Sequence, residues 1–414
     1  LKITTESASI LEVGFLDRKG EGKMELSKGR IIWLSLLLGT LSAYGPLLMD
    51  AYLPAFPVIQ EELGISASLT QMSLTMCLIG LALGPLAIGT LSDRIGRKKP
   101  LAIGITVAIL CCLLVPFVRN IWLFLALRLL QGIASSAGIV LTRAIAKDLF
   151  TGERLTKFFA MLIAVNGIFP IISPLLGSAI LAVASWQTIF LFLGGLGILL
   201  LLGILFGYQE TLQPQEHIHQ MESGWRAVLS DRIFVLLVLI QGFIYGALFS
   251  YISGSSFMFQ NVYGLSDQMY SLLYGINGIG IIVTAELSGI LSRRLSLVQQ
   301  LGSGLVIGFI GSVLVMLSGI RNSIALAIIG LFLVVATLGI VNSVVTTLAM
   351  DRQGEHAGVA SSILGIGMYS IGIICTPLVG IMGSHTYLPL ALLIFLCEIG
   401  ALGVYRVMKQ EARP

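Results

Sequence analysis

Two ionisable side chains in the apolar body of this chain, Asp50 and Arg128, are of the right types for a proton switch, the carboxylate taking up and releasing the proton and the guanidinium supplying a fixed charge. Asp50 stands in the run Leu48-Met-Asp-Ala-Tyr-Leu-Pro-Ala-Phe-Pro57, and a carboxylate at mid-membrane costs roughly 2.5–3.5 kcal/mol unless it finds a partner, water or a proton. Pro46, Pro54 and Pro57 break the helix nearby and free carbonyls for water or side chains. Arg128 opens Arg128-Leu-Leu-Gln-Gly132, and Arg128, Gln131, Ser135 and Thr142 recur at helical spacing, predicting one polar face turned to a central cavity. Counted from the outer ends of their helices at about 1.5 Å per residue, acid and arginine lie at one depth, roughly 10–14 Å in. That level placement suggests a proton-switched pair. Two alternatives stay open: Asp50 as a cap at the outer interface, and a permanent structural ion pair.

The elements that must position them are membrane helices. The chain has 414 residues, 56% hydrophobic and 11% charged, against about 25% charged in a soluble domain. Apolar runs of about 20 residues predict spans at 31–59, 68–92, 99–118, 121–143, 156–182, 185–207, 232–257, 267–291, 298–320, 323–348, 356–382 and 386–406. The fold class is therefore an all-α polytopic membrane protein, twelve helices in two pseudo-symmetric six-helix bundles. Residues 1–30 form a cytoplasmic N-terminal segment, with Met24 a candidate start; 31–207 form the first bundle, 208–231 a polar cytoplasmic linker without apolar periodicity, and 232–414 the second bundle and a short tail.

With both termini cytoplasmic, all but Arg119, Arg128 and Arg321 of the 25 lysines and arginines fall on the inside, as the positive-inside rule requires. The net charge of +4 then reports topology and gives no reason to invoke nucleic acid. The cysteines and histidines have no metal-ligand spacing, and no cofactor is called for beyond protons as the coupling ion. The expected partners are a small-molecule substrate and the lipid bilayer, with a monomer as the working unit. A weak internal repeat links the halves: Gly89-Thr-Leu-Ser-Asp-Arg94 with Gly289-Ile-Leu-Ser-Arg-Arg294, and Ser173-Pro-Leu-Leu-Gly177 with Thr376-Pro-Leu-Val-Gly380. The second half lacks counterparts of Asp93 and Arg128, which assigns the proton machinery to the first.

Between the second and third spans, Gly89-Thr-Leu-Ser-Asp-Arg-Ile-Gly-Arg-Lys-Lys-Pro100 closely resembles the loop signature of the major facilitator superfamily of secondary transporters. Asn166-Gly-Ile-Phe-Pro-Ile-Ile-Ser-Pro-Leu-Leu-Gly177 resembles the superfamily's antiporter helix motif, with Ser173 where glycine is commoner; generic helix packing is the rival reading. Together with Met49-Asp-Ala-Tyr-Leu-Pro-Ala-Phe-Pro-Val-Ile59, these stretches resemble the bicyclomycin-resistance (Bcr/CflA) branch of bacterial drug:proton antiporters. The resemblance implies export of small, moderately apolar compounds against protons across the bacterial plasma membrane. It also implies a conformational latch of Gly89, Asp93, Arg94, Gly96, Arg97 and Asp148, and an antiporter-type helix surface of Asn166, Gly167, Pro170, Pro174 and Gly177. Tyr44, Gln131, Ser135, Phe243, Tyr245, Phe249, Asn277 and Asn342 are the expected cavity lining. Proton-coupled uptake is the alternative within transport; a membrane sensor would be expected to add a large soluble domain, and an enzyme would need a catalytic constellation. Glu286 reads as interfacial and Glu398 as open.

Overall fold

The computed structural model describes residues 28–150, 152–211, 221–353 and 357–411. Residues 1–27 of the expected N-terminal segment, with Met24, residues 212–220 of the linker with His217 and His219, and His356 lie outside these residues. So do the side chains of Asn166 and Gly167.

The first half contains α1 (Lys28–Asp50), α2 (Phe56–Leu63), α3 (Ala67–Ile95), α4 (Lys98–Leu114), α5 (Ile121–Leu149), α6 (Gly152–Leu181) and α7 (Trp186–Leu202). After a short helix α8 (Met221–Ser230), the second half contains α9 (Arg232–Phe257), α10 (Asp267–Leu291), α11 (Leu297–Arg321), α12 (Ile324–Arg352), α13 (Ala357–Leu378) and α14 (Leu388–Glu411). Among the described residues eleven spans are long and apolar enough to cross a membrane, and α6 occupies the twelfth place.

Several helices run past their apolar stretch. α5 reaches Leu149 rather than 143 and α12 reaches Arg352 rather than 348, because polar residues continue a helix readily once it leaves hydrocarbon. The linker also differs from expectation, since 221–230 is helical. Its Val228 is fully buried with Phe234 and Leu237 of α9, and Trp225 packs on the same cluster at an i, i+3 spacing too short to register as a periodic run.

Apolar side chains gain little by leaving lipid, so helix association here rests on close packing and polar contacts. α3 lies along α5 with small residues in the seam, and α9 lies between α13 and α14. The halves touch chiefly through α6 against α10 and α3 against α13. A set of cross-half hydrogen bonds clusters at the end of the bundle away from the 89–100 loop. Ser68 Oγ donates to Pro377 O (2.6 Å), Ser271 Oγ to Pro174 O (3.0 Å), Gln260 Nε2 to Pro54 O (3.1 Å) and Gln71 Nε2 to Ser253 O (3.3 Å). Phe56 and Phe257 meet there with ring centroids 5.9 Å apart. This far end is closed.

Candidate functional site

The first membrane helix breaks where its prolines fall. Pro54 has no N–H to give the Asp50 carbonyl, so α1 ends at Asp50 and a 3-10 turn, Leu53–Ala55, follows before α2. Asp50 thus stands at a helix terminus inside the bundle, 2% exposed. On α6, Gly177 comes against this break so closely that a Cβ would collide with the Ala51 carbonyl, which explains a glycine at that motif position. Pro170 and Pro174 lie inside the same helix.

Arg128 on α5 is fully buried. Its guanidinium lies 4.4 Å from the Tyr52 ring centroid and 5.7 Å from that of Phe190, an arrangement worth about 2 kcal/mol when desolvated. Nη1 donates to Gln131 Oε1, and Gln131 Nε2 donates in turn to Cys112 Sγ (2.9 Å). Asp50 and Arg128 are within electrostatic reach of each other, yet they are not hydrogen-bonded. Asp50 Oδ1, Arg128 Nε and Arg128 Nη2 are all buried without a hydrogen-bond partner. An acid and a guanidinium with spare bonding capacity, held close but apart, can accept a proton, a polar ligand group or each other.

Facing Asp50 from the second half is a tyrosine cluster that sequence reasoning missed. Tyr251, Tyr270 and Tyr274 lie within its electrostatic reach, Tyr251 and Tyr274 stack at 5.5 Å, and Asn277 Nδ2 donates to Tyr251 Oη (2.8 Å). The signal was present in Tyr270, Tyr274 and Asn277, spaced four and three apart on one helix face.

The expected polar face of α5 is not open to a cavity in this conformation. Arg128, Gln131, Ser135 and Thr142 are all fully buried, with Thr142 Oγ1 donating to Leu38 O of α1 (3.1 Å) and Ser135 packed by Gly45. Tyr44 and Phe243, expected to line the cavity, face elsewhere. Tyr44 points into the first bundle and donates to Leu193 O of α7 (2.9 Å), while Phe243 packs on Gly400 of α14. Helical periodicity gives a residue's angle about its helix but not which neighbour occupies that angle. Tyr245, Phe249 and Tyr369 form an aromatic run between α9 and α13, and Asn342 accepts from Gln241 (3.0 Å) within the second half.

At the opposite end, the structure brings three of the expected latch residues, Asp93, Arg97 and Asp148, together. Arg97 is clamped between Asp93 and Asp148 (3.2 Å) and also donates to Ser92 Oγ (2.8 Å). Burial works against its charge, but the two carboxylates outweigh it and hold the guanidinium above its ordinary range. Gly96 has φ 94°, a conformation that favours glycine, and a Cβ there would strike Glu210. Glu210, which the motif did not reveal, takes the Arg97 and Lys98 backbone N–H groups at 2.9 and 3.0 Å, an anion on the exposed N-terminus of α4. Thr211 then bonds Asp148 (3.2 Å) and Tyr208 (2.7 Å), tying the start of the linker into the cluster. Gly89 has only Val140 at its periphery, and Arg94 is exposed.

The profile of the Major Facilitator Superfamily matches residues 32–377. The chain belongs to this superfamily of transporters. It is 40% identical over 390 residues to the MFS-type transporter YdgK of Bacillus subtilis, spanning 91% of this chain and 96% of that one. It is 26% identical over 386 residues to a bicyclomycin resistance protein homolog of Haemophilus influenzae, with the same coverage of both chains. Among solved structures, a bacterial homologue of the human lysosomal transporter Spinster, in an inward-facing, occupied conformation, superposes with TM-score 0.73 at 14% identity. That comparison covers 93% of this chain and 98% of the other. At that identity it speaks to the fold.

Proposed function

We propose that this transporter exports small, moderately apolar compounds across the bacterial plasma membrane in exchange for protons, alternating access about the seam between its halves. Asp50 is the proton carrier in this reading and Arg128 the fixed charge that answers its state. The observation that carries it is the set of unsatisfied atoms, Asp50 Oδ1 and Arg128 Nε and Nη2, buried beside the helix break where the halves meet. A buried polar group without a partner costs about 1–3 kcal/mol, an expense retained where the group has a ligand to bind. Proton and substrate then compete for one cluster: protonation from one side removes the carboxylate charge, and deprotonation toward the other restores it. The bicyclomycin-resistance homolog supports the direction of transport. The density of basic residues around the 89–100 loop supports placing that end, and both termini, in the cytoplasm.

No cofactor enters this scheme, and a single chain holds the whole cluster, so the working unit is a monomer. The test is a susceptibility screen in an efflux-deficient bacterium, followed by pH-jump flux in everted vesicles. Compound accumulation in the vesicles driven by an inside-acid gradient, and absent with Asp50→Asn, is the expected result. Flux in the reverse sense with the same gradient would make the protein an importer.

A further inference from the structure

The closed far end contains a cavity of about 470 Å³ that the central site does not use. It straddles the two halves. Pro54, Glu62 and Trp186 line it from the first half, and Gln260, Asn261 and Asp267 from the second. The volume falls within the roughly 300–1,000 Å³ of small-molecule sites, and its walls combine apolar surface with a few fixed polar groups. No lysine or arginine lines it, whereas a carboxylate from each half does. Glu62 is fixed in place: its carboxylate accepts from Trp186 Nε1 at 2.7 Å and Gln187 Nε2 at 2.9 Å. Among the described residues its cationic contact is Arg119 at 3.5 Å, 79% exposed, so the ion pair is weak and displaceable. Gln260 spans the seam by donating to Pro54 O across the halves and to Ser256 Oγ in its own.

We propose that this cleft is a second ligand site, separate from the Asp50 cluster, for an amphiphilic organic cation arriving at the far face, and that its occupant holds the far end shut. The chemistry follows from the walls. A positive group finds Glu62 and Asp267, and a flat apolar body finds Val58 and Leu265. Because the two carboxylates belong to different halves, a cation between them is bound by both only while the halves are together. A ligand that binds one conformation better shifts the population toward it, so occupancy opposes the opening that export requires. Placing this face outside the cell rests on the function proposed above; the binding itself does not.

The experiment uses propidium, a membrane-impermeant aromatic dication whose fluorescence rises on desolvation. Purified transporter in detergent should bind it saturably. The double variant Glu62→Gln/Asp267→Asn should bind about tenfold more weakly or worse, a loss of about 1.4 kcal/mol. Ala184→Trp, which fills the cleft without touching a charge, should abolish binding, and Asp50→Asn should leave it unchanged. Ser384, which is buried and bonded across the seam by Gln60, reports closure. In a Ser384→Cys protein, propidium should slow labelling by an impermeant maleimide. Absence of saturable binding, binding that survives the double variant but is lost with Asp50→Asn, or faster Ser384→Cys labelling would each overturn the proposal. Failure of proton-coupled export would leave the binding and labelling results standing.

Discussion

The two halves carry copies of one motif, Ser173-Pro-Leu-Leu-Gly177 and Thr376-Pro-Leu-Val-Gly380, and the copies perform one task alike and another differently. In both, the proline carbonyl accepts a serine hydroxyl from the opposite half: Pro174 from Ser271, and Pro377 from Ser68. These matched bonds close the far end symmetrically. The glycines diverge. Gly177 admits the backbone of its own half at Ala51, beside Asp50, whereas Gly380 admits Ser68 and Gln71 of the other half. The repeat thus supplies a symmetric gate, and only the first half attaches it to a broken helix carrying an acid. The loop copies separate in the same way, since Asp93 becomes Arg293 and the clamp on Arg97 has no counterpart there.

The sharpest way to break this comparison is to exchange the role of the two buried acids. Glu398 on α14 is as deeply buried as Asp50, and both of its carboxyl oxygens lack a hydrogen-bond partner. Yet it packs on Gly308 of α11, within one half, in an unbroken helix and with no arginine paired to it among the described residues. Asp50→Asn should reduce gradient-driven efflux to background while the protein still inserts. Glu398→Gln should leave the flux and its pH dependence close to wild type. If instead the second variant lost coupling, the proton path would run through both halves, and the asymmetry would be false.

Arg128 comes next in expected effect. Arg128→Ala removes the cation beside Asp50 and should slow coupled flux by about tenfold or more, about 1.4 kcal/mol at the barrier, and flatten its pH dependence. Lysine should rescue partly, because a single ammonium cannot both sit over Tyr52 and reach Gln131 as the planar fork does. A pH profile unchanged in Arg128→Ala would show that Asp50 works without it.

Much of this was legible in the sequence, for identifiable reasons. Membrane spans show because hydrocarbon tolerates little else, and Asp50 and Arg128 show because they violate that rule. The Arg97–Asp148 contact could be anticipated because a superfamily motif placed both residues. Tyr44 and Phe243 could not be placed, since an aromatic on a membrane helix is equally at home against lipid, a neighbour or a cavity. Glu210 was hidden because its partners are backbone N–H groups, which carry no sequence identity. The far-end cleft was hidden because Glu62 and Asp267 are 205 positions apart and meet only through the fold.

A smaller effect is expected at the 89–100 loop. Its charge cluster is partly wet, so each exposed contact is worth about 0–1 kcal/mol, and several act together. Arg97→Ala removes the residue that joins Asp93, Asp148 and Ser92. Cycling rate should fall by several-fold while equilibrium substrate affinity stays near wild type, read by flux and binding on one preparation. A large loss of affinity with unaltered accessibility at both ends would place this loop in the binding site.

The smallest effect tests whether the second half has its own, merely structural, version of that clamp. Asp231 caps α9 through the Ile233 and Phe234 N–H groups (3.1 and 3.2 Å) and takes two bonds from Arg352 (2.8 and 3.0 Å). Partial burial pushes this carboxyl up, but the Arg352 bonds and the helix N–H groups prevail and hold it below the usual carboxylate range. The sign follows: a folded-state value below the unfolded one, about 3.9, contributes stability that is complete above that pH and lost as pH falls through the folded value. Arg97 is displaced the other way, so the titration of its own guanidinium takes stability away only at strongly alkaline pH. With the Arg352 side chain 42% exposed, solvent screening limits the pair to no more than about 1 kcal/mol. Thermal unfolding in detergent should therefore place Asp231→Asn slightly below wild type near neutrality, with the gap narrowing as pH drops below about 4, and transport at neutral pH should be unaffected. A gap that widened in acid would mean that Asp231 is stabilised as the neutral acid. Lost transport with intact stability would make this cluster a working partner of the Arg97 clamp and restore the symmetry that the two loop copies lack.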